Sequence, residues 1–285
     1  MLPDFDVAMP ASLEDALKEI SGSKNSSAMF MAGGTDLIVR MKDGELSPQK
    51  IVCLDRIQGL DQISENDGII RIGAAVTFRT IIRSELIREK APELHLAAKN
   101  VASPQIRSQA TIAGNIANAS PCADSLAPLC VLEAELVLQS LSGARRLPVN
   151  NCFRGPKENC FDHGEIITQI EFPVPEQPQN AFYLSVGQRK AMSINKLSVA
   201  GRILTDKDGA VRKCRFAYGA VAPTVMRGRG AEEFLLGKKL SPETIANCAS
   251  IASQEVKPIT DIRSTMEYRR NITGVLMKRG LTSLI

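Results

Sequence analysis

Two short glycine-bearing runs set the main constraint on how this chain folds. Ala32-Gly33-Gly34-Thr35-Asp36 follows an apolar stretch near the N-terminus. Thr111-Ile112-Ala113-Gly114-Asn115, with Ser120-Pro121-Cys122-Ala123-Asp124 close behind it, interrupts another. Each run joins residues that lack bulky side chains to hydroxyl or amide groups, so backbone N–H groups can approach an anion closely. A pair of such cradles points to a diphosphate. Taken singly, either run also reads as a tight turn that needs positive φ. Neither fits G-x-G-x-x-G at the start of a helix or G-x-x-x-x-G-K-[ST], so a Rossmann or P-loop site is not supported.

The surrounding pattern places the first run at a strand end. Ser12 with Asp15 three residues on reads as a helix cap, and Leu13, Ala16, Leu17 and Ile20 recur at helical spacing. Ser21-Gly22-Ser23 closes that helix, Ala28 to Met31 reads as a short buried strand, a helix begins at Asp36, and Lys50 to Leu54 is the next strand. Beyond Gly59 the chain predicts a strand over 69–72, a helix capped by Thr77, a helix over 92–101 and another over 126–132. Strands follow from Glu135 and over 166–172, the first turning at Ser142-Gly143 into Arg145 to Val149. Pro173, Pro175 and Pro178 suit neither a helix nor a central strand, and the main domain boundary is placed there. The remainder reads as strands over 182–186, 197–204 and 211–221, with Asp206-Lys207-Asp208-Gly209 as a turn. Two helices follow, one starting at Ser241-Pro242-Glu243 and one capped by Ser264 with Glu267 and running to Arg279.

Composition narrows the function classes. The chain has 285 residues, 44% hydrophobic and 23% charged, and a formal charge of +4 with Lys and Arg scattered among nearly as many acids. No basic stripe argues for nucleic acid, and no apolar run approaches a membrane span. Asp4, Asp6, Glu14 and Asp15 stand where a signal peptide would be basic and then apolar, so a cytoplasmic location is expected. Seven cysteines with no close pairing read as reduced thiols, and their spacings fit no zinc or iron–sulfur pattern. His95 and His163 lack a neighbouring nucleophile or ligand set, so no catalytic or metal residue is assigned.

Ser103-Pro104-Gln105-Ile106-Arg107 and Tyr218-Gly219-Ala220-Val221-Ala222-Pro223-Thr224 complete a series of motifs that runs along nearly the whole chain. In this order they resemble the FAD-binding middle subunit of the molybdenum hydroxylases, the group that includes xanthine dehydrogenase, nicotinate dehydrogenase and aerobic carbon monoxide dehydrogenase. The resemblance implies an α+β fold of the vanillyl-alcohol-oxidase (PCMH) type. FAD-binding subdomains would occupy 1–57 and 58–174, and a C-terminal domain of antiparallel sheet and helices would occupy 179–285. It also implies FAD as cofactor, its diphosphate wrapped by Met29, Phe30, Met31, Ala32, Gly33, Gly34, Thr35 and Asp36. Thr111, Ile112, Ala113, Gly114 and Asn115 would complete the cradle, Asp124 would bind a polar group of the cofactor, and Ile167 and Ser185 would lie around the flavin and adenine. A molybdopterin-binding large subunit and a [2Fe-2S] small subunit are the implied partners. NAD+ is the implied acceptor, with a quinone, ferredoxin or oxygen as alternatives.

Two positions depart from the family pattern. Ala113 stands where many members have glycine, which predicts a cradle that must tolerate a Cβ. Ser185 stands where a lysine is frequent, and loss of a positive charge there would lower the flavin potential. These two positions support a second reading, a structural or assembly subunit that no longer binds flavin, and a third reading is a stand-alone flavin oxidoreductase. The latter would need its own substrate pocket with a positioned acid or base, and the sequence shows none.

Overall fold

The computed structural model describes residues 2–22, 27–176, 180–189 and 192–285. Ser23 and Pro178, read above as helix end and linker, lie outside these segments. The N-terminal unit contains β1 (Asp6–Ala8), α1 (Leu13–Ser21), β2 (Ala28–Met31), α2 (Leu37–Lys42) and β3 (Lys50–Cys53). Ser12 caps α1 by accepting from the Asp15 N–H at 3.1 Å, and Ala16, Leu17 and Ile20 form its buried face. The three strands make a parallel sheet in the order β1-β3-β2, with α2 as the crossover from β2 to β3. Alternation along β2 serves two small cores. Met29 and Met31 pack with Met41 and Ile51, while Phe30 and Ala32 pack with Leu17 and Val52.

The second unit is an antiparallel five-stranded sheet covered by short helices. Its elements are β4 (Ile63–Asn66), β5 (Ile69–Gly73), α3 (Phe78–Arg83), α4 (Glu85–Lys90), α5 (Pro92–Asn100), α6 (Pro104–Arg107), α7 (Ile112–Ala117) and α8 (Leu126–Val131). They are followed by β6 (Glu135–Ser140), β7 (Gly143–Pro148), β8 (Phe153–Gly155), β9 (Glu158–Asn159) and β10 (Ile166–Pro173). The strand order β4-β5-β10-β6-β7 puts β10 in the centre. Strand β10 also joins the two units, since Ile166 belongs to the N-terminal core while Ile167 and Ile170 belong to the second.

The third unit is an antiparallel sheet of β11 (Asn180–Val186), β12 (Leu197–Thr205), β13 (Val211–Gly219) and β14 (Met226–Arg227), in that order, with α9 (Arg229–Leu235), α10 (Pro242–Glu255) and α11 (Met266–Thr282). Both faces of this sheet are buried. Phe182, Val199 and Phe216 point to the helices, whereas Tyr183, Ala200 and Ala217 share the core of the second unit. The Phe182 ring occupies space that a Cβ on Gly201 or Gly280 would take, at 2.4 and 2.2 Å. Three helices therefore follow the sheet where the sequence pattern predicts two, because α9 is a seven-residue element with no capping side chain. Helix α11 is capped by Thr265, which accepts from the Tyr268 N–H at 3.2 Å. Ser264, expected in that role, instead pairs with Asp261 in a bridge ahead of the helix. Strand β13 stops two residues early because Ala220 adopts φ +60°.

Among the described residues, Glu133 pairs with Arg215 and Lys213 across the second and third units near the surface, and a third ion pair crosses the same boundary in the interior. Glu93 on α5 is fully buried, and its carboxylate accepts from Arg202 Nη2 at 2.6 and 2.8 Å and from Nε at 2.9 Å. Burial pushes the Glu93 carboxyl up and outweighs the guanidinium that favours its charge. Removing one partner strands a charge without water. Arg202→Met is expected to cost about 3–5 kcal/mol in chemical denaturation, and the double variant Glu93→Leu/Arg202→Met should recover most of that loss.

Candidate cofactor site

The two glycine runs meet through one backbone contact. A Cβ built on Gly33 would lie 1.9 Å from the Gln109 carbonyl oxygen and 2.5 Å from its carbon, so only glycine lets the end of β2 approach the segment between α6 and α7. Gly34 follows with φ +65°, turning the chain into α2. Among the described residues, none accepts a hydrogen bond from the N–H groups of Gly33, Gly34, Thr35 or Asp36. The same holds for the Ala113 N–H in the first turn of α7. Successive N–H groups without a protein partner at a turn and at a helix start form a donor array suited to an anion.

The second run is the start of a helix and not a positive-φ turn. Thr111 is the N-cap of α7, and its Oγ1 accepts from the Gly114 N–H at 3.1 Å. Ala113 sits inside that helix with its methyl in the core, so the extra Cβ carries no backbone penalty. Position 114 does need glycine, because a Cβ there would stand 2.9 Å from Thr111 Oγ1. Ahead of this run, Ser103 caps α6 and Arg107 donates to the Val101 and Ala102 carbonyls at 2.8 and 3.0 Å, which fixes the turn that presents Gln109.

From this centre polar contacts extend both ways. Asp36 accepts from Asn118 Nδ2 at 3.1 Å, and Lys157, at the tip of the β8–β9 hairpin, donates to Asn118 Oδ1 at 2.6 Å and lies 3.9 Å from Asp36. Asn115 accepts from the fully buried Ser125 hydroxyl at 2.6 Å. Next to Ser125, Asp124 accepts through one oxygen from the Tyr183 hydroxyl at 2.7 Å and from Asn195 Nδ2. Burial pushes the Asp124 carboxyl up to about 6 against the pull of those two donors. Ser185 accepts from Asn100 Nδ2 at 3.4 Å. Ile167 stands apart from this polar chain, with its side chain in the core at the bulge of β10.

The third unit grips the same loop. Ala220 N–H donates to the Pro121 carbonyl at 2.9 Å, and Arg263 Nη1 reaches the Cys122 sulfur at 2.9 Å. Arg263 and Arg269 both donate to Asp261. Although burial opposes it, those bonds hold the Asp261 carboxyl well below the usual carboxylate range. Tyr183, Asn195, Arg263 and Lys157 were not legible as site residues, since each acts across a long sequence gap. All seven cysteines are free thiols, and burial pushes Cys130, Cys152, Cys214 and Cys248 up to about 12. His95 is buried with burial lowering its basicity, and His163 is exposed.

A parallel unit and an antiparallel unit closed around backbone donors, with a C-terminal α+β unit locked onto the rim, define a flavoprotein of the PCMH type. Residues 3–175 match the family model described as the FAD binding domain in molybdopterin dehydrogenase, and 182–284 match the CO dehydrogenase flavoprotein C-terminal domain. The chain belongs to this family of FAD-binding oxidoreductase subunits. It is 30% identical over 278 residues to the glyceraldehyde dehydrogenase medium chain of Sulfolobus acidocaldarius, covering 98% of this chain and 97% of that one. The xanthine dehydrogenase FAD-binding subunit of Escherichia coli O157:H7 is 30% identical over 277 residues, covering 96% and 94%. Among solved structures, carbon monoxide dehydrogenase from Hydrogenophaga pseudoflava superimposes with a TM-score of 0.94 at 29% identity, covering 100% of this chain and 98% of that one.

The donor array and the two glycines that a Cβ would displace fit the diphosphate of FAD. Gly33→Ala is expected to cost about 1–3 kcal/mol by overpacking and to abolish flavin retention. Gly114→Ala is expected to cost about 1 kcal/mol through the weakened cap and to lower flavin affinity. Thermal melts with and without FAD check both.

Proposed function

We propose that this chain is the electron-transfer subunit of a molybdenum-containing hydroxylase, acting between the [2Fe-2S] clusters of a small partner subunit and NAD+. A molybdopterin-binding large subunit would oxidise the substrate, and a cytoplasmic location fits such a complex. Among the described residues no helix is long and apolar enough to cross a membrane. FAD, when bound, supplies the exchange between one-electron and two-electron transfer. The chain supplies binding and orientation. The Gly33 to Asp36 and Ala113 N–H groups would hold the diphosphate, Met29 to Ala32 support that turn from the sheet, and Thr111 keeps Ile112 to Asn115 in position. Asp124 would accept from a polar group of the cofactor, and Ile167 and Ser185 would border its ring systems. The segments 1–57, 58–174 and 179–285 are the corresponding working units.

The observation that supports this reading is the contact of Gly33 with the Gln109 carbonyl, which sets the first glycine run beside the segment leading into the second. The assembly-subunit reading rested on Ala113 and Ser185. Ala113 no longer supports it, because that residue is an ordinary helical position. The purified chain, alone or with its partner subunits, is expected to show a bound flavin absorption spectrum that bleaches on anaerobic addition of NADH. A spectrum unmoved by NADH but bleached by a reduced quinone or ferredoxin would replace the acceptor, and no flavin at all would sink the assignment.

A further inference from the structure

The side-chain hydrogen-bond donors of Asp124 come from another structural unit. Its loop belongs to the second unit, while Tyr183 on β11 and Asn195 just before β12 belong to the third. Tyr183 is 4% exposed and Asn195 8% exposed, and Asn195 Nδ2 also lies 3.4 Å from the Tyr183 oxygen. Both donors converge on Oδ1, and no described residue donates to Oδ2. Oδ2 is therefore an acceptor that no described side chain uses.

We propose that Tyr183 and Asn195 are positioning residues that hold Asp124 ionised and oriented toward the flavin cofactor, making FAD retention dependent on pH. The proposal rests on the reading of Asp124 as a cofactor-binding residue. A donor on the cofactor favours the ionised carboxylate, so retention is complete above the carboxyl pKa of the free chain and is lost as pH falls through it. That pKa is about 6, raised by burial and held from rising further by Tyr183 and Asn195. Removing either donor raises it more and moves the loss of FAD to higher pH.

The other charged groups nearby have their own partners. Cys122, in the same loop, meets Arg263, and Arg263 and Arg269 are engaged by Asp261. Lys196, next to Asn195, lies over the Tyr268 ring at 5.2 Å. On the face of β11 that carries Tyr183 the neighbours are the uncharged Ser185 and Ser198. Tyr183 itself stays protonated, because burial and the adjacent Asp124 push its hydroxyl far up.

The test is an FAD binding isotherm on the full chain, read by flavin fluorescence from pH 8 down to pH 5, for wild type, Tyr183→Phe, Asn195→Ala and Asp124→Asn. Wild type should hold a constant Kd above pH 6 and weaken below it, approaching tenfold per pH unit for a single proton. Tyr183→Phe should bind within a few-fold of wild type at pH 8 and begin to weaken at higher pH. Asn195→Ala should shift the same way and serves if Tyr183→Phe melts early. Asp124→Asn should bind more weakly and show no pH dependence over this range. A wild-type isotherm that is flat in pH, or donor variants that weaken binding equally at every pH, would overturn the proposal and leave the two residues a packing role. Failure of wild type to bind FAD at pH 8 would instead refute the cofactor reading beneath it.

Discussion

The close approach of Gly33 to the Gln109 carbonyl is the contact on which the candidate site depends. It joins the parallel unit to the antiparallel one at the point where β2 ends and α7 is about to begin. Any side chain at position 33 would separate the two segments by more than the sum of small adjustments can absorb. Because the contact is backbone against backbone, it sets the first glycine run beside the segment that leads into α7. A site built this way binds an anion with dipoles in place of charged side chains, consistent with a chain whose net charge is only +4.

The third unit closes the arrangement through buried polar contacts. The Glu93–Arg202 pair, the Ala220 N–H on Pro121 and the Arg263 contact with Cys122 all join it to the second unit. Such contacts give little net stability, but they are intolerant of misplacement, because a displaced partner leaves a buried charge or donor unpaired. They therefore fix register more than they add strength. The loop over 120–125 is the element they fix, and it carries Asp124 toward the cradle while Ser125 holds Asn115.

Much of the fold was legible in the sequence, and the reasons are local. Ser12, Thr77, Ser241 and the Asp206–Gly209 turn carry their structural role in their own side chains, and β2, β10 and β12 carry it in apolar runs. Short elements without such signals, β1, β14 and α9, were not readable. For the second glycine run a tight turn stayed open beside the cradle, since a helix cap and a tight turn share the same residue types and only the Thr111 bond to the Gly114 N–H separates them. The positions of Tyr183, Asn195 and Arg263 were illegible for a different reason. Their partners lie 59, 71 and 141 residues away, and only the packing of the third unit brings them together.

A crystal structure of the chain with FAD would test the central claim most directly. The account predicts the diphosphate between Gly33–Asp36 and Thr111–Asn115, within hydrogen-bonding distance of the Gly34, Thr35 and Ala113 N–H groups. A diphosphate bound elsewhere, or one held by lysine and arginine side chains with those N–H groups still unpaired, would contradict it.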